Sequence, residues 1–238
     1  RRPFHAKEDH PVGGATAFFF LVRVSKTLKA FHLLGHAGQG FEAMAILRPS
    51  YEYYLSLLWL LERDTETRAR CWIDHAQIMQ SRAAREFPHS ADEQVRDRQS
   101  DWDAATNRFK TLCGDPKKNH FSGKTIKDLA SYLDNSSKWK NMFQDSYSIS
   151  DIYGLIWRLT SQYMHASGWT WPAGQKGPTV LQDFLKSDTY WIDAGIHISW
   201  SLNVESLRVV KDWCMPEWEE VVEEEAARLN EYIKMQKT

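Results

Sequence analysis

The chain has 238 residues, enough to bury a core without disulfide or metal support. Its 42% hydrophobic and 26% charged content excludes global disorder, and 30 basic against 31 acidic residues leave no net charge that would select a polyanion. Bulky aromatics (11 Trp, 9 Tyr and 11 Phe) stand against only 12 Gly and 8 Pro, which predicts long helices with few breaks.

In chain order, residues 1–14 read as a charged arm closing on Pro11-Val12-Gly13-Gly14. The apolar run from Ala15 to Val22 is about half of what a bilayer needs and meets Arg23 and Lys26, so no membrane segment is expected. Helices are predicted over about 15–36, 41–62, 65–86 and 91–112, with breaks at Gly35 to Gly40 and at Pro88-His89-Ser90. A loop follows, basic at Lys117, Lys118 and Lys124, and then two short helices near 125–134 and 137–144. Ser150 is the expected N-cap of a helix reaching about Ala166. After the Trp-, Gly- and Pro-rich segment 168–178, helices near 189–213 and 217–237 complete the chain, with Pro216 at the start of the last. The expectation is an all-α multi-helix bundle in one domain, 15–238, whose charged 66–112 region projects as a helical hairpin.

The three cysteines, Cys71, Cys113 and Cys214, are odd in number and form no CxxC pair, which disfavours a zinc ribbon or thioredoxin-type site. Reduced thiols in a cytoplasmic protein are the simplest expectation. His32 and His36, one helical turn apart, could ligate a metal with Glu42 or Glu52, but solvent or cap roles suit them better, and neither a metal nor a cofactor is expected. No glycine-rich phosphate loop, nucleophile elbow or dinucleotide fingerprint is present. The glutamate-rich stretch Glu217 to Glu225 reads as a solvated helix face.

Two segments carry chemistry. Phe41, Ala45, Arg48, Glu52, Leu55 and Trp59 fall within roughly 80° on a helical wheel, setting an Arg–Glu pair in line with apolar residues. Pro49 should kink or begin that helix and free a carbonyl near Ala45. The pair is either structural or part of a polar site cut into the bundle. Further on, Ile152, Leu155, Ile156, Leu159 and Tyr163 form an apolar face, while Arg158, Ser161 and His165 share another, flanked by Gly154 and Trp157. Arginine can hold a phosphate and histidine can exchange protons near neutral pH, but the same residues could be a packed structural cluster. Trp169-Thr170-Trp171-Pro172 could wall such a site or plug one end of the bundle.

The blocks Leu47-Arg48-Pro49-Ser50-Tyr51-Glu52 and Trp157-Arg158-Leu159-Thr160-Ser161-Gln162-Tyr163-Met164-His165 resemble a widespread bacterial family catalogued only as a helical domain of unknown function. Its marks are an arginine with a glutamate four residues later, then a Ser-x-x-x-His helix. The resemblance implies an all-α fold and draws Arg48, Glu52, Ser161 and His165 towards one pocket, with Trp157 and Tyr163 in support; Pro49 departs from its pattern. Arg158 and His165 also fit the loose Arg-x4–6-His motif of the HEPN ribonucleases of toxin–antitoxin, CRISPR and phage-defence systems, with Leu159 where a polar residue is commoner. That resemblance implies metal-independent RNA cleavage, a homodimer, and a possible antitoxin or defence-system partner. The alternative is a ligand-binding or protein-interaction module whose Arg/Glu/Ser/His cluster is structural.

Overall fold

The computed structural model describes residues 10–86, 99–117, 120–140, 148–164, 179–214 and 216–235. They form eight α-helices and one short 3-10 turn, with no strand among the described residues: α1 (Pro11–His36), α2 (Gly40–Glu62), α3 (Thr65–Glu86), α4 (Gln99–Cys113), α5 (Ile126–Asp134), α6 (Ile149–Met164), α7 (Thr179–Cys214) and α8 (Glu219–Met235). The all-α bundle expected from composition is the fold.

Helix α2 is its axis. Met44, Leu47, Tyr54, Leu55, Leu57, Leu58 and Leu60 are fully buried along it, and α1, α5, α6 and α7 pack around it. That follows from its sequence, since a helix apolar on nearly every side has no face to give to water. Helix α3 lies against α1 and α2, and α4 covers α3 as an outer layer.

Three boundaries differ from the sequence reading. Pro11 begins α1 in the first-turn position it tolerates, so Pro11 to Gly14 belong to a helix and not to an arm. Gly13 is needed there, because a Cβ at that position would meet the Thr65 side chain at 2.7 Å. The cap of α6 is Ser148, not Ser150: its hydroxyl accepts from Asp151 N–H (3.0 Å), and the Asp151 carboxylate accepts from Ser148 N–H (2.9 Å). Ser150 instead gives its N–H to Asp134, whose two carboxylate oxygens take the first free donors of the helix. Helix α7 starts ten residues earlier than expected. Residues 137–140 are a turn, while 141–147 and the segment 168–178 lie outside the described residues.

The reduced-thiol expectation is overturned for two cysteines. Helices α3 and α4 run antiparallel, pairing Asp74 with Arg108, and the same register brings Cys71 and Cys113 together in a disulfide across 42 residues. No local motif announces such a pair. Among the described residues no helix is long and apolar enough to cross a membrane.

Candidate functional site

The site grows from the crossing of α2 and α6. Pro49 neither starts nor ends α2, which continues through it; Ala45, one turn back, is exposed, so water can serve the carbonyl that proline leaves unpaired. Arg48 and Glu52 form the expected i,i+4 pair, Nε to Oε1 at 3.1 Å, but with about a third of each side chain open to solvent. The stripe thus runs from exposed Ala45 into the core, where Leu55 and Trp59 are buried; the Phe41 side chain lies outside the described residues. The pair sits on the boundary.

From α6 comes Trp157. The Arg48 guanidinium lies 3.7 Å from the centre of its ring, a distance at which the cation meets the negative π face directly. Tyr153, one turn earlier, stacks on Trp157 at 5.4 Å. Burial pushes the Tyr153 phenol above its ordinary value, Arg48 opposes this and Glu52 adds to it, so the phenol is neutral at physiological pH. A Cβ added at Gly154 would meet nothing within 4 Å, which leaves open space beside these rings.

The buried stripe of α6 is Ile149, Ile156 and Thr160, with Ile152 and Tyr153 partly covered; Leu155 is 49% exposed and does not belong to the apolar face assigned to it. On a wheel of 100° per residue, position 157 stands roughly 70° from that stripe, position 161 about 40° further round, and position 158 almost opposite. Positions 158, 161 and 163 are within α6, but the side chains of Arg158, Ser161 and Tyr163 lie outside the described residues, as does His165 entirely. The structure therefore brings together Arg48, Glu52 and Trp157 from the expected set.

Below Glu52 the sequence reading missed a polar node. Ser56 gives its hydrogen to the Glu52 carbonyl (2.7 Å) and so can only accept from His120 Nε2 (3.0 Å). The His120 proton is therefore on Nε2, and Nδ1 accepts from the Ser122 hydroxyl (2.8 Å) and the Ser122 N–H (3.1 Å). Burial, with His75 adding, pushes the His120 pKa down to about 3. Nothing in sequence separates this loop histidine from a solvated one; only the fold delivers it to α2. His32 and His36 lie 6.5 Å apart, with Trp200 edge-on to His32, and among the described residues no group of three metal-ligating side chains converges.

Residues 15–171, well over half the chain, match a family described as "Family of unknown function (DUF5677)". The chain belongs to that family. The DUF5677 match runs from α1 through α6 and contains Arg48, Glu52, Trp157, Arg158, Ser161 and His165. Neither a curated protein nor a solved structure matches the chain.

Proposed function

We propose that the chain is a HEPN-like, metal-independent endoribonuclease, acting as a toxin or defence effector. One observation carries the reading: Arg48, oriented by Glu52, sits solvent-open on Trp157, the residue preceding Arg158 on the helix that leads to His165. A fixed cation and partly exposed aromatic rings on the segment whose sequence carries Arg158 and His165 suit a phosphodiester and its bases. In this reaction His165 takes the proton of a ribose 2′-OH, O2′ bonds to phosphorus, and the bond from phosphorus to O5′ breaks. The products are a 2′,3′-cyclic phosphate and a 5′-hydroxyl, the leaving oxygen regaining its proton from protonated His165 or water. Arg158 balances the charge that grows on the phosphate, and Ser161 and Tyr163 line the same helix. The active species is a homodimer held in check by an antitoxin or other defence-system partner, in the cytoplasm.

The test is cleavage of total RNA in EDTA by wild type, His165→Ala and Arg158→Ala, with melting temperatures alongside. The proposal expects each variant to lose at least a hundredfold in rate while melting within about two degrees of wild type. Wild type that cleaves nothing, as monomer or dimer, overturns it.

A second reading has its own observation. Arg48 already spends its guanidinium on Glu52 and Trp157, as a residue fixing helix register does. On that reading the cluster serves a ligand-binding or protein-interaction module, and Arg48→Ala lowers stability with no activity to lose.

A further inference from the structure

The disulfide between Cys71 and Cys113 has unequal ends. Cys71, in the first turns of α3, is 1% exposed and part of the core, whereas Cys113, the last residue of α4, is only partly covered. Helix α4 packs chiefly on α3, and this bond cross-links the two helices. Beside it α4 also buries Trp102, Ala105 and Phe109, and polar ties complete the seam. Arg108 holds Asp74 through Nη2 (2.7 Å) and Nε (3.3 Å) with more than half its own side chain exposed, and Arg82 donates to the Pro116 carbonyl (2.6 Å).

Gly123, further along the chain, comes directly onto the Cys113 end of the bond. Gly123 takes φ +68°, and a Cβ there would stand 2.1 Å from the Cys113 carbonyl oxygen, so only glycine permits the approach. Gly123 N–H in turn closes on the His120 carbonyl (3.0 Å), and His120 reaches α2 through Ser56. The disulfide, the loop base and the anchoring histidine form one mechanical unit.

We propose that Cys71–Cys113 is a thiol–disulfide exchange site for a dithiol, and that its redox state sets the order of the segments 114–117 and 120–124 that follow α4. A dithiol thiolate attacks Sγ of Cys113, the less buried of the two residues, and the S–S bond breaks with the electron pair going to Cys71, which takes up a proton. The second dithiol sulfur then attacks the mixed disulfide, and Cys113 leaves as a thiol. In sum, the protein disulfide gains two electrons and two protons, and the dithiol becomes a cyclic disulfide. Burial of Cys71 directs the first attack to Cys113 and returns the pair to each other on reoxidation.

The experiment uses the full chain carrying Cys214→Ser, equilibrated at several protein concentrations in buffers of reduced and oxidised dithiothreitol. Thiols are counted after acid quenching and unfolding, and trypsin cleavage at Lys117 and Lys124 is timed on the folded protein. The proposal expects two thiols in the reduced buffer and none in the oxidised one. It also expects unchanged helical circular dichroism and at least tenfold faster loop cleavage after reduction. In single-cysteine variants on this background, Cys113 in Cys71→Ser alkylates at least tenfold faster than Cys71 in Cys113→Ser. A thiol count that stays fixed across both buffers, a pairing that depends on protein concentration, or equal loop cleavage in the two states overturns it.

Discussion

His120 shows how one side chain can be fixed in charge and tautomer by its neighbours alone. Ser56 accepts at Nε2 and Ser122 donates twice at Nδ1, so a second ring proton would face donors it cannot satisfy. The unfolded chain protonates this histidine near pH 6.5, the folded one only at about 3. Its folded pKa is depressed, so the unfolded state binds the extra proton first. The stability is therefore fully present above about pH 6.5 and is lost as pH falls from there towards 3. His120→Gln should lower stability by about 1–3 kcal/mol at pH 7, and urea titrations should show that gap narrowing below pH 6. Parallel stability curves for the two proteins from pH 4 to 8 would remove this role. None of it was legible in the sequence, where His120 sits beside a lysine pair in a loop and its partner Ser56 lies 64 residues away.

At the scale of elements, α2 is buried on most sides as its sequence predicts, because eleven buried apolar residues from Ala43 to Leu61 leave little beyond the Arg48–Glu52 side to water. What the sequence hid is how such a helix ends inside a protein. Its last carbonyls receive three side chains from two later elements, α3 and the 137–140 turn: Arg68 donates to Trp59, Lys138 to Leu61 (2.5 Å) and the Trp139 indole to Leu58 (3.1 Å). The cations also suit the negative end of the helix dipole. Arg68 further pairs with Glu62 (2.8 Å), which accepts from the Tyr132 hydroxyl (2.6 Å). Burial works to raise the Glu62 carboxyl, but hydrogen bonds from Tyr132, Arg68 and Ser136 hold it below the ordinary range. Arg68→Ala should therefore cost about 3–5 kcal/mol, because it strands a carboxylate and an orphan carbonyl together; Arg68→Met with Glu62→Leu should recover most of it. Chemical denaturation of the single and double variants measures both. The α6 cap was missed for a related reason. Both Ser148 and Ser150 precede the apolar run, and the choice depends on Asp134 arriving from α5 to take the Ser150 N–H.

For the molecule as a whole, composition alone carried the fold class, since scarce glycine and proline with dense aromatics leave long helices as the way to bury so much surface. The pairing of distant elements was not legible. Helix α7 lies outside the family match yet covers α1 and α2, and its Gly195 lets the Phe31 ring so close that a Cβ would stand 2.0 Å from Cζ. Ser25 of α1 is likewise joined to Asn203 of α7 at 2.7 Å. A chain ending at residue 171 should thus expose Phe31 and the α7-facing side of α2. Calorimetry should show no cooperative transition for it, whereas the full chain melts in one. A cooperative fragment of near-native stability would make α7 and α8 an accessory and not part of the core.

That seam between α1 and α7 also has a meaning in time. Synthesis delivers α1 first, but the helix that seals it is not complete until Cys214 has left the ribosome. At translation speeds of roughly 5–20 residues per second, α1 waits about 10–35 seconds for its cover. Phe31 and its apolar neighbours are open to chaperones throughout that interval, so slow codons between α6 and α7 would lengthen the exposure, and the yield of folded protein should fall with them.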